Sequence, residues 1–389
     1  MPNKSLTLPL IVISQFACTS LWFACNGVLT DLLRVYALDE SALGHLTSAV
    51  QFGFIIGTLV FALLTLADRF SPSRVFLLSA LAGAMTNLGM IYPDHSLGSL
   101  VFVRFLTGFC LAGIYPVGMK IAADYHEKGL GKALGFLVGA LVLGTAFPHF
   151  LKSIGGNLDW RNVVYTTSVI AILGGCLVGF LVPDGPFRTR SKGVDFRAFF
   201  SVFDKKSFRS AAGGYFGHMW ELYAFWAFVP VWLEAFLQKN TIEADASLLA
   251  FLIIGLGSIS CVIGGYFSEK NGSGKIALVS LAGSGLCVIL SPLAFTLPFP
   301  LFLIFLLIWG MLVIADSPQF STLVAQYAPA DQKGTALTIV NSIGFAITIL
   351  SMQLIGFLIN HLTISWLFWV LLPGPLFGLW TARKFLKKK

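Results

Sequence analysis

The 389-residue sequence is short of charge: Asp, Glu, Lys and Arg make up 11% of it, less than half of the roughly 25% that soluble domains carry. That scarcity excludes a surface built for water, and with it a disordered chain or a charged coiled coil. No C-x-x-C pair occurs. Cys18, Cys25, Cys110, Cys176, Cys261 and Cys287 all sit inside apolar runs, where they act as small hydrophobes rather than as a disulfide framework or a metal site. A G-x-x-x-x-G-K-S/T phosphate loop is absent, which excludes an ATP-driven pump built on that motif. Neither H-E-x-x-H nor G-x-S-x-G is present, so no enzyme, cofactor or metal is expected. Long polar stretches are missing too, save one between Pro183 and Arg209. What the chain has instead is 56% hydrophobic residues, a mean hydropathy of +0.82 and 36 phenylalanines, too many to hide in a soluble core. Lipid is its expected solvent.

A membrane helix needs about 20 mostly apolar residues. The sequence predicts twelve, over 7–30, 44–66, 74–92, 97–123, 130–152, 162–182, 210–237, 247–267, 274–295, 299–327, 334–358 and 363–383. The first run is too long, and too poor in a small-residue cleavage site, for a removable signal, and is expected to stay as the first span. With the N-terminus inside, twenty Lys and Arg residues fall on the cytoplasmic side and four, Arg34, Lys152, Arg161 and Lys239, on the other. That asymmetry predicts an even number of spans with both ends in the cytoplasm. It also explains the net charge of +8 better than nucleic acid does, because the basic residues lie in short segments between apolar runs. The polar stretch divides six spans from six, which predicts an N-terminal bundle over 1–183, a linker over 184–209 and a C-terminal bundle over 210–389.

The halves repeat. LTLADRFSPSR, after the second span, aligns with GYFSEKNGSGK, after the eighth, at an offset of 201, so that Asp68 meets Glu269, Arg69 meets Lys270 and Arg74 meets Lys275. The offset persists into the fourth and tenth spans, where Tyr115-Pro116 lies opposite Ser317-Pro318 and Tyr125 opposite Tyr327. Parallel repeats of this kind mark many transporters. The sequence here resembles the major facilitator superfamily over nearly its whole length. Leu64 to Arg74 is similar to that family's G-x-L-a-D-r-x-G-r-k-r signature, with Asp68, Arg69 and Arg74 matching and Leu64 and Ser71 replacing its glycines. Arg104 and Gly108 match its R-x-x-x-G signature. Gly131, Gly135, Gly139, Gly144 and Phe147-Pro148 form a loose version of its glycine-rich fifth helix, and Asp159-Trp160-Arg161 is also familiar from the group. The resemblance implies two six-helix bundles that rock about a central site in alternating access, with Asp68, Arg69, Arg74, Glu269, Lys270 and Lys275 as gate charges. A static loop staple is the competing reading of those turns.

Ionisable residues at bilayer depth cost about 2.5–3.5 kcal/mol on insertion scales, so each needs a partner, a cavity or a task. His218 and Glu221 lie three residues apart on one helical face of the seventh span and are expected to share a proton; a structural hydrogen bond or a two-ligand metal site are the alternatives. Asp316 precedes Ser317-Pro318, and proline there bends the helix and releases a carbonyl. It is expected to pair with Lys120 or Arg104, either as a releasable partner or as a permanent ion pair, and it joins His218 and Glu221 as a proton-coupling candidate. Arg104 and Tyr115 share a face of the fourth span and could grip an anion, although in the resembled family this arginine belongs to a proton or helix-interaction motif. Gln15 and Asn26 in the first span, Trp220 beside Glu221 and Asn341 in the eleventh complete the candidate substrate contacts, with helix packing as the alternative.

These residues predict a monomeric secondary transporter of a small polar or charged organic solute, coupled to protons, in the lipid of a bacterial inner membrane. A multidrug/proton antiporter and a membrane receptor or scaffold that has lost transport are the alternatives.

Overall fold

The computed structural model describes residues 4–39, 41–125, 130–156, 159–188, 203–328 and 333–386. Among the described residues every regular element is helical, and ten stretches are long and apolar enough to cross a membrane. Two more occupy the places of the first and seventh runs. The seventh, Lys206–Lys239, is 34 residues long but is diluted by His218, Glu221 and Glu234. Large apolar side chains point outward, Met85 and Phe180 with 71% and 76% of their surface uncovered. Hydrocarbon tolerates that pattern and water does not. Lys128, Arg190, Lys192 and Arg197 of the charge pattern, and most of the predicted linker, lie outside the described residues.

The chain parts into two compact units, Met1–Gly193 and Val194–Lys389. In the first, the opening span is not the single helix predicted over 7–30. It runs as Lys4–Thr19, Ala24–Gly27 and Leu29–Val35, with a turn at 20–23 that contains neither proline nor glycine. The second span is Ala42–Leu63, the third Pro72–Leu88, the fourth Leu97–Leu111 followed by Tyr115–Tyr125, the fifth Leu130–Gly155 and the sixth Arg161–Leu181. Two of these starts have a local cause. Pro72 occupies the first turn of the third span, where its missing N–H is no loss. Ser96 and Ser99 cap each other's backbone N–H at the fourth.

Asp159, just outside the sixth span, accepts the Arg161 backbone N–H at 2.9 Å and its guanidinium at 2.7 Å. The backbone bond, followed by the guanidinium, holds its carboxyl below the usual carboxylate range. A depressed folded value contributes stability above the unfolded value of about 3.9 and loses it as pH falls through the folded one. Asp159→Asn is therefore expected to lower the melting temperature relative to wild type at pH 6, with the two curves converging as pH falls through the folded value of the carboxyl. A gap that stays constant as pH falls would show that the charge of the Asp159 carboxylate contributes nothing to stability.

The second and fourth spans touch backbone to backbone. A Cβ placed on Gly108 would lie 2.0 Å from the Val50 carbonyl oxygen, and one on Gly53 1.9 Å from that of Phe105. Close approach of this kind is what small residues permit between membrane helices. Gly108→Val is expected to cost about 1–3 kcal/mol from overpacking and to show as an early unfolding transition in detergent.

In the second unit the seventh span is followed by the eighth, Ala246–Gly255 and Gly257–Asn271, the ninth, Ser273–Ala294, and the tenth, Phe299–Ala315 and Ser317–Tyr327. The eleventh is Lys333–Leu358, and the twelfth opens as the 3-10 turn Ile364–Leu371 before Pro373–Ala382 and Arg383–Leu386. The predicted single helix over 363–383 therefore begins more tightly wound than expected, and Leu372, between its two pieces, keeps helical dihedrals. Pro116 and Pro318 each open the second piece of their span, so both expected proline bends occur. Pro318 leaves the Ile314 carbonyl without its i+4 donor, and the Cys261 thiol lies 3.7 Å from that oxygen. The core here is aromatic: Phe236 and Phe302 stack at 3.6 Å, and Trp232 packs against Phe295, Phe302 and Phe368.

Candidate functional site

In the second unit, three titratable side chains are sealed among helices. Asp316 sits in the break of the tenth span, and His218 Nδ1 approaches its Oδ1 to 2.8 Å, both side chains 1% exposed. His218 Nε2 has no hydrogen-bond partner among the described residues. Glu221, one turn along the seventh span and equally buried, accepts the Ser284 hydroxyl at 2.9 Å with Oε2 and the Trp309 indole N–H at 2.9 Å with Oε1. Trp309 is held by Phe225 at 4.6 Å and Phe368 at 5.2 Å, so its donor is fixed by packing.

The pairing differs from the sequence expectation. Helical spacing does place His218 and Glu221 on neighbouring positions, yet each takes its partners from other spans. Asp316 meets His218, where Lys120 or Arg104 was expected. Ser284 and Trp309 carried no signal, because a serine and a tryptophan in apolar runs become partners of Glu221 only when the ninth and tenth spans pack on the seventh. Trp220 donates to the Val370 carbonyl at 3.1 Å and ties the seventh span to the twelfth. Asn341 is half-buried.

The first unit holds a second polar cluster. Arg104 is fully buried and sends Nη1 to Asn87 Oδ1 at 3.2 Å and Nη2 to the carbonyls of Leu21 at 3.0 Å and Trp22 at 2.5 Å. Those carbonyls belong to the turn that interrupts the first span. Asn87 passes the chain on, its amide donating to Thr167 Oγ1 at 3.2 Å and Ser168 Oγ at 3.0 Å. The arginine thus clasps the broken helix, and an anion would have to displace backbone acceptors to reach these donors. Asn87, Thr167 and Ser168 escaped the sequence reading, although an asparagine within an apolar third span was a usable signal.

The remaining candidates scatter. Asn26 donates to Thr47 Oγ1 at 3.0 Å. Gln15 is fully buried, its amide aimed at Gly118, where a Cβ would lie 2.3 Å from Oε1. Tyr115 is half-buried and opens the second piece of the fourth span.

Lys120 meets a gate candidate instead of substrate groups: its Nζ lies 2.8 Å from Asp68 Oδ1 and 3.9 Å from Asp124 Oδ1. Arg188 closes the same turn, donating to the carbonyls of Asp68 at 3.0 Å and Phe70 at 2.7 Å while pairing with Asp184. Asp68 therefore takes Lys120, not Arg74, as its cation. Arg69, Arg74, Glu269, Lys270 and Lys275 are exposed and form no ion pair among the described residues. No group of three or more His, Cys, Asp or Glu side chains among the described residues could hold a metal ion.

A family model described as Major Facilitator Superfamily matches residues 11–352. The chain is 28% identical over 144 residues to the 3-(3-hydroxy-phenyl)propionate transporter of Escherichia coli strain K12, covering 36% of this chain and 35% of that one. It is 29% identical over 164 residues to the 4-hydroxybenzoate transporter PcaK of Acinetobacter baylyi, covering 39% and 35%. Each match thus spans about a third of the relative's length. In three dimensions the chain resembles the proton:xylose symporter XylE bound to 6-bromo-6-deoxy-D-glucose, with a TM-score of 0.76 at 14% identity over 98% of this chain and 95% of that one.

Proposed function

The chain belongs to the major facilitator superfamily, and on that premise we propose that it is a proton-coupled carrier of a small organic solute, in which the Asp316–His218 pair carries the coupling proton. Transport by a multi-pass membrane protein is the family's work. The finer assignment rests on one observation, a carboxylate and an imidazole 2.8 Å apart in the break of a bent span, with almost no exposure. Gain or loss of a proton changes the net charge of that sealed pair by one unit. Two conformations that hydrate the pair differently must then hold the proton with different affinity, and the proton in turn biases their populations. Glu221, with both oxygens fastened to Ser284 and Trp309, is the second carboxylate of the cluster and sets the seventh span against the ninth and tenth.

Hydroxylated aromatic carboxylates are the first solutes to test, because the two curated relatives are named for such acids. The charge asymmetry along the chain supports an inner-membrane location with both ends in the cytoplasm, and the Asp68–Lys120 contact is the gate latch of this reading. The test is uptake of 4-hydroxybenzoate and 3-(3-hydroxyphenyl)propionate into proteoliposomes. Accumulation that appears with an inward pH gradient and collapses with a protonophore is expected. Accumulation indifferent to the gradient would end the proton assignment, and absence of flux for every aromatic acid would end the substrate assignment alone.

A further inference from the structure

A packed contact flanked by basic residues lies at the last described turn of the second unit. Phe385 packs against Gly274, a Cβ on which would lie 2.6 Å from the Phe385 Cβ, and its ring stacks on Tyr327 with centroids 5.4 Å apart. This contact fastens the Arg383–Leu386 turn to the first residues of the ninth span and the last residue of the tenth. A cation adjoins two of these three residues in the chain, Lys275 after Gly274 and Lys384 before Phe385. Lys384 Nζ stands 5.8 Å from the Tyr327 ring centre, and the Arg383 guanidinium 6.0 Å from that of Trp380. Lys275 and Arg383 are exposed and Lys384 half-buried, and none of the three forms an ion pair among the described residues. The sequence adds Lys387, Lys388 and Lys389, which lie outside the described residues.

An apolar strip borders these charges. Leu376, Phe377 and Trp380, on the helix that leads into the basic turn, are all exposed. Tryptophan favours the boundary between hydrocarbon and headgroups, and Arg383 sits over this one. A soluble anion would engage the cations and leave the strip unmatched, whereas an anionic amphiphile satisfies both. We infer that this corner binds an anionic phospholipid of the surrounding membrane, its phosphate held by Lys275, Arg383 and Lys384 and its acyl chains lying along Leu376, Phe377 and Trp380. The site is separate from the proton-coupling cluster and stands whether or not that reading survives. Fastening the turn through Phe385 gives the basic residues a fixed position, which a general preference of cations for the membrane surface does not require.

Native mass spectrometry and thermal unfolding of the purified full chain, with phosphatidylglycerol, phosphatidylcholine or inorganic phosphate added, test the assignment. Phosphatidylglycerol is expected to remain bound and to raise the unfolding temperature, while the other two do neither. Lys275→Gln, Arg383→Gln and Lys384→Gln combined should weaken phosphatidylglycerol binding by at least roughly tenfold and leave the transition in phosphatidylcholine where it was. Arg383→Gln alone, at an exposed position, gives the same test without risk to the fold and should produce about a fivefold loss. Retained preference in these variants, or equal stabilisation by both lipids, would overturn the site. A shift produced by inorganic phosphate alone would replace the lipid with a free anion and likewise overturn it.

Discussion

Asp316→Asn is expected to abolish accumulation driven by a pH gradient while leaving downhill exchange of the same solute measurable. Asparagine keeps the shape of the side chain and an oxygen that can accept from His218 Nδ1, which lies 2.8 Å away, so the break in the tenth span should persist. What disappears is the ability of the position to gain and lose a proton. The loss of concentrative uptake should be complete within error, because coupling as proposed needs the carboxylate of the pair to take up and release the proton. Paired measurements of counterflow and gradient-driven uptake in proteoliposomes read the two activities separately. Glu221→Gln is the informative companion. Its side chain keeps one acceptor for Trp309 or Ser284, and exchange should again survive. If Asp316→Asn and wild type accumulate solute equally, the pair has no part in coupling.

Arg104→Ala carries the largest expected effect on stability. The guanidinium serves two carbonyls of the interrupted first span and the Asn87 side chain, all without contact with solvent. Hydrogen bonds between membrane spans contribute about 0.6–1.7 kcal/mol each, and a buried acceptor left without a donor costs about 1–3 kcal/mol. Loss of the three contacts is therefore expected to cost about 2–5 kcal/mol, seen as a lowered unfolding temperature and as early exposure of Cys18 and Cys25, buried on either side of the turn, to a thiol reagent. Arg104→Lys should recover part of the loss, since an ammonium supplies donors without the planar fork. A solute affinity that survives the lysine substitution separates a clasp from a substrate clamp. An Ala variant with wild-type melting would show that the carbonyls need no donor.

The spans were legible because lipid demands about 20 apolar residues wherever a helix crosses it, a requirement written locally. The bends at Pro116 and Pro318 were legible for the same reason: a proline cannot donate, and its neighbours in sequence are its neighbours in the helix. The interruption at 20–23 was not, since the group that satisfies its carbonyls lies in the fourth span, where Arg104 donates to Leu21 and Trp22. The site was half legible. Buried His218, Glu221 and Asp316 announced themselves by their cost in hydrocarbon, while their partners depended on which spans pack together. Helical spacing favoured a His218–Glu221 contact, and packing of the tenth span on the seventh gave His218 to Asp316 instead. Lys120 illustrates the same limit, its partner Asp68 lying on a turn two spans earlier.

The crossing at Gly53 and Gly108 has a kinematic consequence. With carbonyls of Val50 and Phe105 about 2 Å from where methyl groups would stand, a slide of one residue in either direction would bring a side-chain-bearing position into that gap. The second and fourth spans are therefore bolted at this level and must travel as one stave during any conformational cycle. Flexure in the fourth span is left to the joint at Ala112–Ile114, where the helix is already interrupted, a few residues beyond the bolt.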